Sequence, residues 1–286
     1  MSWNQLTVDV PDDLIDTIVG ELSGESVAGV WERPAPDPQL TRLVLYFTHR
    51  SNLDRIETVV RTIFERVQRQ APAMSRAVVE ERDWTEEWKK SYASFPIADS
   101  FFVIPSWAEA TCPDDRLPIR IDPGQAFGTG THETTQLTMQ ALERWVEPSH
   151  TVLDVGTGSG ILAIASRLLG AKPVFACDID PVAAHIARAN IERNAESDVY
   201  TFCGSLDGVK SNCVNLLLGN LTADVIRNLF SEFDRVLRLH GIAILSGILR
   251  DQDEDIREIV DRHHFNVFEE ITQGEWLVLI VEKHGR

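Results

Sequence analysis

Basic side chains are scarce in this 286-residue chain. Lysine and arginine total 27 against 44 aspartates and glutamates, a formal net charge of −17. Nucleic-acid phosphates are held by clustered Lys and Arg, so this balance argues against direct nucleic-acid binding. A basic protein partner suits such a field better. Cysteine is scarce too: Cys112, Cys177, Cys203 and Cys213 are the only four. No pair has C-x-x-C spacing and no histidine cluster lies nearby, which argues against a metal site. Three of the four fall in or beside stretches that read as strands and are expected to be small buried apolar groups. Long apolar runs are missing. Stretches such as 277–281 fall far short of the ~20 residues that span a bilayer. Residues 1–14 carry Asp9, Asp12 and Asp13 and no apolar core, unlike a signal peptide. A globular cytoplasmic protein with no membrane partner is the expectation.

Two blocks with different rhythms are present. Residues 1–83 alternate short elements: strand 3–10, helix 11–22, strand 27–32, strand 43–47, helix 52–70 and strand 77–82. The helix 52–70 presents Ile56, Val59, Val60, Ile63 and Val67 at helical spacing. The order β-α-β-β-α-β is that of a small ferredoxin-like α+β domain. RNA-recognition modules share this order but carry basic and stacking aromatic residues on the third strand. Here that strand reads Arg42-Leu43-Val44-Leu45-Tyr46-Phe47, without that pattern. Residues 84–95 read as a linker helix with Trp84 and Trp88 on one side. Residues 96–131 form an entrance segment to the second domain, 96–286, with strands 101–105 and 117–121.

From His132 onward, longer helices alternate with continuous apolar strands. Helices are expected over 134–145, 161–169, 181–194, 223–237 and 251–262. Strands are expected over 152–155, 173–177, 199–203, 214–218 and 242–246. This is the signature of a parallel sheet covered on both faces, an α/β fold. Strands 265–271 and 276–281, joined by four turn residues, must pair antiparallel.

Four motifs carry chemistry. The first is Asp154-Val155-Gly156-Thr157-Gly158-Ser159-Gly160, at a strand–helix junction. Glycines there permit close backbone approach, and the helix start offers free N–H groups to an anionic moiety. The spacing is G-x-G-x-G, not the G-x-G-x-x-G of nicotinamide-binding proteins. The second is Asp178 at the next strand end, where an acid can grip ribose hydroxyls. Asp180 followed by Pro181 reads as a helix cap. The third is Asn220-Leu221-Thr222-Ala223, at the carboxyl end of a parallel strand. Asn220 is either an acceptor for a target amine or an N-cap. The absence of proline and aromatics in that tetrad disfavours a flipped base. The fourth runs from Asp122 to Thr135, with three glycines, four threonines and Phe127. It is expected to fold as a mobile loop over a ligand, with Phe127 as a cover and Thr135 in the first turn of the next helix. His132 reads either as a general base or as an ordinary helix-start residue.

Together D-P-G-x-A-F-G-T-G-T-H-x-T-T, D-V-G-x-G-S-G-I-L-A-I-A, D-I-D-P and N-L-x-A resemble the bacterial methyltransferases of ribosomal protein L eleven. The resemblance runs from about Asp83 to the end, and the small N-terminal domain matches in arrangement. It departs at Glu133, Thr157 and Leu221-Thr222, where the family commonly has Pro, Cys and Ile-Leu. The resemblance implies a Rossmann-like class I methyltransferase domain and S-adenosyl-L-methionine as cofactor. It implies repeated methylation of lysine side chains and the terminal amine of that ribosomal protein. By position it puts cofactor contacts on Thr135, Gly156, Asp178 and Asn220. The residue reading adds Phe127 and Gly158 as cofactor contacts, and Asn220 as the catalytic residue toward the amine. A small-molecule or RNA methyltransferase with the same cofactor domain is the alternative.

Overall fold

The computed structural model describes residues 2–11, 14–22, 27–37, 40–47, 52–67, 69–80, 92–122, 124, 126–194 and 197–285. The chain forms two compact units, Met1–Tyr92 and Ala93–Arg286.

The first unit contains β1 (Ser2–Val10), α1 (Ile15–Leu22), β2 (Val27–Pro34), β3 (Thr41–Phe47), α2 (Asn52–Arg66) and β4 (Met74–Glu80). Its strands make one antiparallel sheet in the order β2-β3-β1-β4. Alternation along the strands puts Leu6, Val8 and Val10 of β1 and Leu43, Leu45 and Phe47 of β3 into one core. Ile18 and Leu22 of α1 and Ile56, Val60 and Ile63 of α2 close it from the helix side, as the 3.6-residue period requires. Helix α2 ends earlier than the periodicity predicts. Arg69 N donates to Phe64 O (2.9 Å), a bond of the kind that closes a helix C-terminus. Val67 is consequently 43% exposed rather than in the core. Of the linker helix expected over 84–95, residues up to 91 lie outside those described. Phe95 opens a strand instead.

The second unit starts with a three-stranded sheet of β5 (Phe95–Ile97), β6 (Phe101–Pro105) and β7 (Leu117–Ile121), with β6 and β7 parallel. Then follow α3 (Glu133–Trp145), β8 (Val152–Val155), α4 (Ile161–Leu168), β9 (Val174–Asp178), α5 (Pro181–Arg193), β10 (Val199–Cys203), β11 (Val214–Asn220), α6 (Ala223–Val236), β12 (Leu237–Leu249), α7 (Asp253–Arg262), β13 (Phe265–Gln273) and β14 (Trp276–Lys283). Seven strands form one sheet in the order β10-β9-β8-β11-β12-β14-β13. Strands β8 to β12 pair in parallel, and β14 runs antiparallel to both β12 and β13. The hairpin read from the sequence is therefore present, with its second strand inserted beside β12. Its turn is tighter than expected. Only Gly274 and Glu275 separate the strands, with Gly274 at φ +57°.

Successive strand residues feed opposite faces of this sheet. Val152, Leu216, Leu218, Ile244, Val278 and Ile280 join one core with residues of α3 and α4. Leu153, Leu217, Leu245, Leu277 and Leu279 join the other with Phe230 and Phe233 of α6. Each fully buried side chain of this size contributes roughly 1.5–3 kcal/mol of transfer free energy. Strand β12 is longer than the five residues expected. Its pairing with β11 jumps from Val214–Leu237 to Leu216–Ile242, so residues 238–241 bulge out of the ladder.

The expectation for the cysteines is corrected in part. Cys177 is buried, but Cys203 is exposed and Cys112 and Cys213 are intermediate. Residues of the edge strand β10 are covered on one side only, which leaves Cys203 outside the core. Among the described residues no helix is long and apolar enough to cross a membrane.

Candidate functional site

The carboxyl ends of β8, β9, β11 and β12 face a cavity of about 540 Å³, a size that suits a small-molecule ligand. It lies where strand order reverses between β8 and β11, the position expected of a ligand in an open parallel sheet. Phe127, Gly156, Gly158, Asp178 and Asn220 all line it.

The glycine loop is built from β8 outward. Gly156 N and Thr157 N donate to Cys177 O (2.9 and 3.0 Å), tying the loop to β9. Gly158 has φ +54°, and a Cβ there would collide with the Phe127 carbonyl oxygen. The backbone approach is possible only for glycine. Gly160 is the N-cap of α4. Asp178 sits at the end of β9, and its carboxylate accepts from Gly158 N (3.0 Å) and Asp180 N (3.0 Å). Two backbone donors thus fix its orientation at the cavity wall. Asp180 accepts from Val182 N (2.8 Å) and caps α5, as its Asp-Pro context predicts.

Behind this wall, Asp154 is 1% exposed. Burial pushes its carboxyl up to about 7, against the opposing bonds from the Thr157 hydroxyl (2.6 Å) and the Ala163 N–H. The charge of Asp178 adds to the rise. Burial likewise pushes the neighbouring Cys177 thiol up to about 12.

The threonine-rich segment is more firmly tied than a mobile loop. Ser159 N donates to Phe127 O (2.9 Å), and Ser159 Oγ donates to Gly128 O (2.6 Å). Asn190 of α5, fully buried, accepts from Asp122 N (2.8 Å) and donates to Asp122 O (3.1 Å) and Ser159 O (2.8 Å). The segment is thereby anchored to the glycine loop at Asp122, through Asn190, and at Phe127 and Gly128. Phe127 stands 58% exposed at the cavity mouth.

Asn220 and Thr135 meet, but not as two lining residues. Thr135 is fully buried and stands behind the wall, where its Oγ1 accepts from Asn220 Nδ2 (3.4 Å). Thr222, not Asn220, is the N-cap of α6. The cap position left open for Asn220 is therefore occupied by another residue, whose side chain makes no capping bond. Asn220 Oδ1 has no hydrogen-bond partner among the described residues.

His132 caps α3: its Nδ1 accepts from Thr134 N (3.3 Å) and lies 2.8 Å from Thr134 Oγ1. An Nδ1 that accepts from a backbone N–H puts the proton of the neutral ring on Nε2. The ring packs edge-on against Phe127 (5.5 Å) and Trp276 (5.1 Å). Trp276 and Gly247 are wall residues that the sequence did not single out. Trp276 comes from β14 and Gly247 from β12, and no local pattern links either to the glycine loop. Their one sequence cue is placement: each lies at the cavity end of a strand in the sheet.

The sequence profile of the family described as ribosomal protein L11 methyltransferase (PrmA) matches residues 17–284. A ribosomal protein L11 methyltransferase of Clostridium botulinum is 33% identical over 97% of this chain and 90% of its own length. One from Bacillus cytotoxicus is 40% identical over 71% of this chain and 66% of its own length. The crystal structure of a ribosomal protein L11 methylase from Lactobacillus delbrueckii subsp. bulgaricus superposes with a TM-score of 0.62 at 35% identity. It covers 68% of this chain and all of that one. This chain therefore belongs to the ribosomal protein L11 methyltransferase family.

Proposed function

We propose that the protein transfers methyl groups from S-adenosyl-L-methionine to amines of ribosomal protein L11, at lysine side chains and the terminal α-amine. The observation that carries this reading is the cavity at the strand ends, lined by Gly158, Asp178 and Asn220, in a chain of this family. The residues present fit the cofactor: a glycine loop whose Gly156 and Gly158 line the cavity, and a carboxylate fixed at a strand end. When bound, S-adenosylmethionine supplies an electrophilic methyl group on a sulfonium.

The chain's own residues then have distinct tasks. Asp178 holds the ribose hydroxyls, Gly156 and Gly158 give the backbone room for the amino-acid moiety, and Phe127 shields the mouth. Asn220, steadied by Thr135, offers Oδ1 as an acceptor to the incoming amine. Thr135 is assigned as an indirect cofactor contact through that bond. The attacking amine must be neutral. At pH 7 a lysine of pKa ~10.4 needs about 4.6 kcal/mol to lose its proton, whereas an α-amine needs about 1. A nearby sulfonium and an apolar pocket both lower an amine's pKa. Positioning in line supplies most of the rate, up to ~7–11 kcal/mol, so no dedicated base is assigned and His132 keeps its capping role.

The N-terminal block 1–83 serves as the substrate-holding domain for the catalytic domain, 96–286. The charge of −17 favours a basic ribosomal protein as partner and disfavours RNA. Such a substrate places the enzyme in the cytoplasm. The test is mass spectrometry of purified L11 after incubation with the enzyme and S-adenosylmethionine. Gains in multiples of one methyl group on amines are expected, and are lost in Asp178→Ala. An unmodified L11, with methylated RNA in a parallel incubation, overturns the assignment.

A further inference from the structure

At the opposite end of the sheet from the cavity, three side chains converge that the methyl-transfer reading does not use. They are His240 in the bulge of β12, Glu282 of β14, and His284 just beyond it. Single ligand atoms from the three all lie within 4.8 Å of one another. Glu282 and His284 are two residues apart on an extended segment and so share a face. Lys283 between them points the other way, where its Nζ meets Asp234 Oδ1 (2.9 Å) and Leu237 O (3.1 Å). That cation is thus held away from the cluster.

One further observation points to a ligand. His284 Nε2 is the one buried side-chain nitrogen or oxygen among the described residues that has no hydrogen-bond partner. It stands 3.7 Å from Glu282 Oε2, too far for a hydrogen bond. Metal–ligand bonds of ~2.0–2.2 Å place tetrahedral ligand atoms about 3.3–3.5 Å apart, close to that gap. His240 is held at φ +62°, a conformation that a residue with a side chain adopts at a cost. That backbone brings Nδ1 to 2.7 Å from Glu282 Oε1. Gly241 makes the turn possible, since a Cβ there would lie 2.8 Å from Arg238 O.

We propose that His240, Glu282 and His284 form a binding site for a zinc-type divalent transition-metal ion that staples the β12 bulge to the end of β14. Two imidazoles and a carboxylate are three of the four ligands of a tetrahedral centre, and water completes it. Borderline-soft nitrogen donors select zinc, cobalt or nickel over magnesium or calcium. The role is structural. Six residue steps along β14 separate Trp276 in the cavity wall from Glu282, about 20 Å at strand rise. Binding displaces the proton of the His240 Nδ1–Glu282 Oε1 hydrogen bond.

The untagged full-length protein is titrated with Zn²⁺ against a chromogenic chelator, and with Co²⁺ while the visible spectrum is read. One tight equivalent and an intense tetrahedral Co²⁺ band are expected. Both should weaken at least tenfold in His284→Ala and in Glu282→Gln, with S-adenosylmethionine binding by calorimetry unchanged as proof of folding. Zn²⁺ should also raise the melting temperature of the wild type and not of His284→Ala. Absence of the Co²⁺ band in the unmodified protein overturns the proposal without recourse to any variant. Equal Zn²⁺ binding by wild type and His284→Ala overturns it as well.

Discussion

Replacing Asp154 with asparagine tests the physics of the wall behind the glycine loop. The carboxyl is pushed up from 3.8 to about 7, with burial as the largest cause. A group whose folded pKa lies above its unfolded pKa binds its proton more tightly in the folded state. Its stabilising effect is complete below about pH 4. It fades as pH rises from about 4 to about 7, and is absent above. A rise of about three pK units at ~1.36 kcal/mol each makes the swing on the order of 4 kcal/mol. Asparagine mimics the protonated acid in shape, keeps an acceptor for the Thr157 hydroxyl, and cannot ionise. The variant should therefore gain on the wild type by several kcal/mol between pH 5 and pH 8.5, read from urea unfolding of the two proteins side by side. The Asp154 carboxyl carbon, assigned by its absence in the variant, should titrate near 7 in ¹³C spectra. A carbon that titrates near 4, or a stability difference that does not change with pH, refutes the reasoning.

Three further outcomes follow from the packing. Gly158→Ala forces a Cβ against Phe127 O at φ +54°. It should weaken S-adenosylmethionine binding at least tenfold by calorimetry while the far-ultraviolet dichroism stays intact. Phe233→Ala empties a fully buried position in the core under α6 and should cost about 3–5 kcal/mol. A thermal scan should register that as a drop of roughly 6–20 °C at ~2–4 °C per kcal/mol. In native alkylation followed by peptide mapping, exposed Cys203 should be modified well before Cys177, whose thiol is buried and pushed up to about 12.

Much of the fold is visible in residue periodicity. Leu153 and Leu217 against Val152 and Leu218 already read as a strand pair covered on both faces, and Asp180-Pro181 announces its helix. The hairpin's place is another matter. Alternation shows that β13 and β14 pair, but nothing local says that β14 lies between β13 and β12, because that depends on contacts distant in sequence. The bulge at 238–241 is only half legible: Gly241 marks a break in the strand, but the register it shifts depends on contacts distant in sequence. In the site, Gly156, Gly158 and Asp178 are legible because one strand–loop–helix unit and the next strand fix them. Thr135 is legible as a partner of the site but not as a residue one layer back. That depth is set by how α3 lies against β11 and β12. Trp276 is illegible, since a lone tryptophan after a Gly-Glu turn does not indicate which wall it completes.

The insertion of β14 makes its strand the keystone of the sheet. Any shortened version that stops before residue 276 has bare, unzipped flanks on β12 and β13, the kind of exposed edge that recruits other strands. The same shortening deletes the indole beside His132. Incomplete copies thus lose pocket and solubility together, so clumping and inactivity arrive as one phenotype.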